Sequence, residues 1–236
     1  MSRSRQSALE RFFFQEFSKS YPMLPTGTIA FGDRPDVVIH GRQTWGIEIA
    51  NVYLRDGSDE GSEQIQARRR AQAIALGQEL YRSAGNPALE YWIDFDPNTP
   101  IRSVPDAASR LAATAAANST AGVPFAGYRP EPDFAELRYL AHNGVIYADA
   151  EWRASQIYEV PNLSVSRVCE IVYDKMQKVA AYSKCDVYWL LLVVDFWDPA
   201  QDQAIHWPAG EKVGQTPFER IVVFKPGTRE YVEIPQ

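Results

Sequence analysis

Cysteine, histidine and long apolar runs are all scarce in this chain, and each scarcity removes a class of function. Among 236 residues there are two cysteines, Cys169 and Cys185, and three histidines, His40, His142 and His206. No metal-type spacing links the cysteines and the histidines are isolated, so a zinc cluster is not indicated and a reducing cytoplasm fits best. The longest apolar run, Val187 to Val194, is far too short to span a bilayer, and the arginines near the N-terminus are not followed by an apolar signal core. The chain therefore reads as neither secreted nor membrane-embedded. Positive charge is not in excess either: 24 Lys and Arg face 30 Asp and Glu, for a formal net charge of −6. That balance argues against a protein that coats duplex DNA by bulk electrostatics, and any nucleic-acid contact has to come from a local basic patch. A P-loop, a Gly-x-Gly-x-x-Gly run and a Gly-x-Ser-x-Gly elbow are also missing.

What is present suits a folded α/β domain. Hydrophobic residues make up 45% and charged residues 23%, ordinary values for a globular core. One elaborated domain over residues 1–236 is expected. Leu9, Phe12, Phe13 and Phe17 recur at helical spacing and predict an amphipathic helix over 4–19. Strand-like runs follow at 26–32, 35–40 and 43–54, then the loop 56–61, a helix over 64–81 and a strand over 89–95. An Ala-rich stretch predicts a helix over 105–117. Asn143-Gly144 between two apolar runs predicts a hairpin, because this pair tolerates the positive φ of a type I′ turn. A third long helix is expected over 164–182, with Val165, Val168, Val172, Met176 and Val179 on its core stripe. The run Tyr188–Val194 has the continuous apolarity of a strand buried on both faces, and a C-terminal hairpin occupies about 215–236.

Two carboxylates stand out. Asp36 follows a proline at the start of one strand-like run and Glu48 lies within the next, with a short turn around Gly41-Arg42-Gln43 between the runs. A hairpin of this length brings them opposite each other, and two facing carboxylates repel unless a hard divalent cation lies between them. The order helix, three strands, helix, strand, with Pro35-Asp36 on the second strand and Glu48 in the third, resembles the PD-(D/E)xK nuclease superfamily. The resemblance covers about residues 1–54 and 164–196. It implies a restriction-endonuclease-like αβββαβ core, a mixed sheet flanked by helices, with a large insertion over 55–163. It further implies Mg²⁺ (or Mn²⁺) held by Asp36, Glu48 and the carbonyl of Ile49, and a lysine two residues after the glutamate, where this chain has Ala50. Lys178-Val179-Ala180-Ala181-Tyr182, followed by Tyr188-Trp189-Leu190, looks like the Lys-x-x-x-Tyr helix and Tyr-Trp-Leu strand of a branch that moves the lysine to the later helix, so the relocated lysine is expected at Lys178. Lys175 shares its stripe and is expected only to touch nucleic acid. The family often adds a carboxylate from the first helix; Glu10 fits, with Glu16 as the substitute.

Arg68-Arg69-Arg70 is the densest basic cluster and the expected phosphate contact. In a competing register, the 64–81 helix would complete the core and turn Gln66, Arg69 and Arg70 toward the site. Asp94-Phe95-Asp96 resembles the nucleophile turn of haloacid-dehalogenase-like phosphatases, but Asn98 replaces the usual threonine and the later Gly-Asp-x-x-x-Asp is missing, so it reads as a strand-ending turn. The expectation is a cytoplasmic, metal-dependent endonuclease acting on nucleic acid, DNA above all. The alternative is a nuclease-like fold that has lost catalysis and binds a protein partner or a second copy of itself.

Overall fold

The computed structural model describes residues 3–55, 57–119, 126–128, 133–157 and 159–236; Asp56, in the loop noted above, lies outside them. The chain forms two compact units, one from residues 1–54 with 160–236 and the other from 55–159. The first unit has the elements α1 (Arg3–Ser20), β1 (Thr28–Phe31), β2 (Val37–His40) and β3 (Thr44–Asn51) before the break. The second unit holds α2 (Glu63–Ser83), β4 (Leu89–Phe95), α3 (Val104–Asn118), β5 (Ala126–Tyr128), β6 (Leu137–Ile146) and β7 (Trp152–Ala154). The first then resumes with α4 (Val165–Met176), a 3-10 turn at Val179–Ala181, β8 (Val187–Val193), β9 (Arg220–Lys225) and β10 (Glu230–Glu233). The class is α/β, as expected. Where the sequence suggests one domain with an insertion, the segment 55–159 has its own sheet and its own core.

The six strands of the first unit lie in the order β1-β2-β3-β8-β9-β10. The β1-β2-β3 meander is antiparallel, β3-β8-β9 is parallel, and β9-β10 closes as an antiparallel hairpin. Period-two alternation sorts the side chains onto two faces. Val37, Ile39, Ile47, Ile49, Leu191 and Val193 pack with Phe13, Phe14 and Phe17 of α1, while Leu190, Leu192 and Val223 pack with Val168 and Val172 of α4. Because helices cover both faces, β8 is apolar throughout, which is why its run of aliphatics was legible. The competing register fails here: β8, not β4, pairs with β3, and α2 packs within the second unit against α3.

That second unit has a four-stranded sheet in the order β5-β6-β4-β7. The Asn143-Gly144 hairpin does not form, and β6 runs unbroken from Leu137 to Ile146. Gly144 does take the positive φ that the pair favours, 71°, but it spends it on a bulge: Leu89 pairs with Ile146 and Tyr91 with His142, so β6 carries extra residues against β4. Long-range pairing along β4 overrides the local turn preference. Asp94 is buried, accepts from Arg138 Nε at 2.6 Å, and precedes a turn in which Asp96 accepts from Asn98 N and Thr99 Oγ1. These contacts make it a structural strand end. Among the described residues no helix is long and apolar enough to cross a membrane.

Candidate metal centre

The β2-β3 register sets the site. Val37 pairs with Ile47, so one step outward along both strands Asp36 stands opposite Glu48. Alternation sends both side chains to the α4 face, away from the phenylalanines of α1. Asp36 Oδ2 accepts from the Ile49 amide at 2.7 Å, which ties the turn before β2 to the middle of β3. Gly46 is needed for this geometry, since a Cβ there would meet Pro35 Cγ at 2.8 Å and the Tyr188 ring at 2.9 Å, both closer than real contacts allow. Gly46→Ala is therefore expected to lower stability by about 1–3 kcal/mol through overpacking, read as a drop in the urea midpoint with an unchanged m-value.

Lys175 reaches the pair from α4. Its ammonium lies 2.6 Å from Glu48 Oε1 and 3.4 Å from the Ile49 carbonyl oxygen. Here the structure corrects the sequence reading, because the lysine at the carboxylates is Lys175, and Lys178 is exposed. The α-helix stops at Met176 and tightens into a 3-10 turn over Val179–Ala181, so the stripe extrapolated to 182 loses its phase before Lys178. Glu10 of α1 lines the same cavity, held at Oε1 by Gln6 Nε2 at 2.9 Å, whereas Glu16 pairs with Lys19 and Arg229 instead.

The cavity has a volume of about 700 Å³ and is lined by Glu10, Arg34, Asp36, Glu48, Ile49 and Lys175, together with Gln6, Ser7, Gly32 and Asp33. Burial and then the Glu48 charge push the Asp36 carboxyl up to about 7; Glu10 adds to the rise, while the Ile49 amide and Lys175 oppose it. Glu48 Oε2 and the Tyr182 hydroxyl are both shut off from solvent, and neither has a partner in hydrogen-bonding geometry. The phenol is nonetheless near enough to Glu48 for burial and that charge to push its pKa up.

Among the described residues no group of three or more His, Cys, Asp or Glu is placed to hold a metal ion. The oxygen set that is present consists of two carboxylates and a carbonyl, and it suits a hard cation that keeps several waters, as Mg²⁺ does. The buried Glu48 Oε2 adds to this: the Tyr182 hydroxyl lies near it but not in good hydrogen-bonding geometry, and a cation there would satisfy it. No family model matches the chain, and no curated protein or solved structure matches it.

The structure does not present the three arginines as one basic patch. Arg70 is buried and bonds Glu63 at 2.5 Å, and Arg69 donates to the Ile101 carbonyl at 2.7 Å with Glu60 at 3.4 Å. Gln66, expected at a site in the competing register, is buried and bonds Ile101 N at 2.8 Å. Only Arg68 of the three is exposed. The i, i+1, i+2 spacing spreads three arginines around a helix, so at least one had to face inward. Two residues of the site escaped the sequence reading: Arg34, visible only as the neighbour of Pro35-Asp36, and Tyr182, noted as a motif residue but given no role.

Proposed function

We infer that the chain is a metal-dependent phosphodiesterase acting on nucleic acid, DNA above all. The observation that carries this reading is Lys175 Nζ on Glu48 Oε1 and the Ile49 carbonyl, beside Asp36, in one open cavity. The lysine missing at Ala50 is supplied from α4. The order α1-β1-β2-β3-α4-β8 within the first unit supports the nuclease-like core that the sequence resembles.

Asp36, Glu48 Oε2 and the Ile49 carbonyl are the groups that would hold a divalent cation. Such an ion, when bound, polarises a phosphate oxygen and lowers the pKa of its water toward neutrality. Lys175 Nζ stands beside the carboxylates, where its charge would offset that developing on the phosphate. Glu10 adds a carboxylate on the α1 side, near enough for its charge to be felt at Asp36.

Supercoiled plasmid with Mg²⁺ or Mn²⁺ tests this directly. The parent protein is expected to nick it, and Glu48→Gln to remove both the nicking and most of the rise in melting temperature that the cation causes. At a concentration about a hundredfold above Kd, that rise corresponds to roughly 2.7 kcal/mol. Stabilisation without cleavage would favour the non-catalytic binding module, and neither effect would leave the carboxylate pair without this role.

A further inference from the structure

We propose that Arg34 is the phosphate-binding residue of this cavity, its guanidinium taking a backbone phosphate of the DNA alongside the metal-bound one. The proposal rests on the nuclease reading above and names a contact that the reading does not require.

Among the described residues four carboxylates line the cavity, Glu10, Asp33, Asp36 and Glu48, against two cations, Arg34 and Lys175. Among the described residues the wall thus carries more acidic than basic groups, an imbalance that a bound divalent cation would offset before a polyanion approaches. Lys175 is committed to Glu48 and Ile49. That leaves Arg34 as the cation lining the cavity that, among the described residues, makes no salt bridge and no side-chain hydrogen bond. An exposed arginine is ordinarily just solvated. This one lines the same cavity as four carboxylates and, among the described residues, pairs with none, so its five donors are open to an incoming anion, in the fork that fits phosphate bidentately.

Its backbone is fixed as a binding residue requires. The Arg34 carbonyl accepts from Ser183 N at 2.8 Å, which joins the turn to the segment following Tyr182. The Gly32 amide donates to the Asp36 carbonyl at 2.9 Å and closes the same turn. Pro35 is buried over Gly46 and Tyr188. The guanidinium therefore swings from an anchored Cα, and its charge already reaches inward far enough to bear on the Tyr182 phenol.

Steady-state cleavage of a short labelled DNA duplex in Mg²⁺, across a series of salt concentrations, tests the assignment. Arg34→Ala is expected to raise KM at least about tenfold, the size of one charge-assisted contact, with kcat close to that of the parent. It should also lower the salt slope by about one, the signature of one lost phosphate contact. Arg34→Lys keeps the charge but not the fork, so it should restore the slope and only part of KM. Both variants should retain the melting temperature of the parent and its rise with Mg²⁺. An Arg34→Ala protein with parental KM and slope would overturn the proposal while the nuclease reading stands. Loss of the Mg²⁺-dependent rise would overturn it as well, by making Arg34 part of the scaffold. A parent that cleaves nothing would remove both.

Discussion

Lys175→Met is expected to lower kcat by roughly 10²–10³-fold, as loss of a single preorganised charge on a developing oxyanion does. The same change should destabilise the metal-free protein. Lys175 neutralises Glu48, which retains only 9% of its side-chain exposure, and Lys175 itself retains 19%. Removing one partner of a fully buried pair costs about 3–5 kcal/mol, and the residual access to water at Lys175 reduces this to about 2–3 kcal/mol. Mg²⁺ should then recover most of the loss, so the cation-dependent rise in melting temperature is larger in the variant than in the parent. Lys178→Met, at an exposed position outside the α-helix, should change stability by no more than about 0.5 kcal/mol and leave kcat alone. The reverse pattern, with Lys178 essential and Lys175 dispensable, would return the catalytic lysine to the motif.

Asp36→Asn is expected to make the metal-free protein more stable at pH 8 and blind to the cation. The sign follows from the direction of the shift. The Asp36 pKa is raised from 3.8 to about 7 on folding, so between those values the folded state holds a proton that the unfolded state has released. Stability from this group is greatest below pH 4, falls as pH rises through 7, and is flat above, a total change on the order of 2–4 kcal/mol. Asparagine keeps an oxygen for the Ile49 amide and carries no charge to desolvate, so that loss disappears. Cation binding needs the ionised carboxylate and should weaken about tenfold for each pH unit below 7 in the parent. Thermal melts over pH 5–8, with and without Mg²⁺, read both effects. A parental cation response that is equally strong at pH 5 and pH 8 would show that Asp36 is not a ligand.

The parts of the site that were legible in the sequence are those fixed by short-range register. A hairpin of a few residues between Asp36 and Glu48 leaves few ways to pair, and both observed strands begin within a residue or two of where β-branched runs place them. The contributions from farther away were not legible. Lys175 and Lys178 are one turn apart on a continuous helix, and nothing in Gln177-Lys178-Val179 announces that the helix ends between them. Arg70 looks like surface charge, and pairing with Glu63 can be expected of an exposed helix face, but nothing in the run announces that the arginine is buried. Asn143-Gly144 carried a true message about φ at Gly144 and a false one about chain reversal, because the hydrogen bonds of β4 were available along the whole of β6.

The break after Leu54 has a consequence in chain entropy. Glu48 and Lys175 are 127 positions apart, and most of the intervening chain belongs to the other unit. Leu54 N bonds the Ala200 carbonyl, and Pro161 accepts from Ala204 N, so the two ends of the break are pinned to one short segment of the first unit. If 55–159 were a flexible coil, joining those ends would carry the closure entropy of a loop of more than a hundred residues. Once that unit has folded as a body of its own, the loop shrinks to its few flanking residues, a difference of roughly 2–3 kcal/mol in (3/2)RT ln n. Order in the second unit thus raises the local concentration of the ammonium at the carboxylate it neutralises, and couples assembly of the charged site to the folding of the other unit.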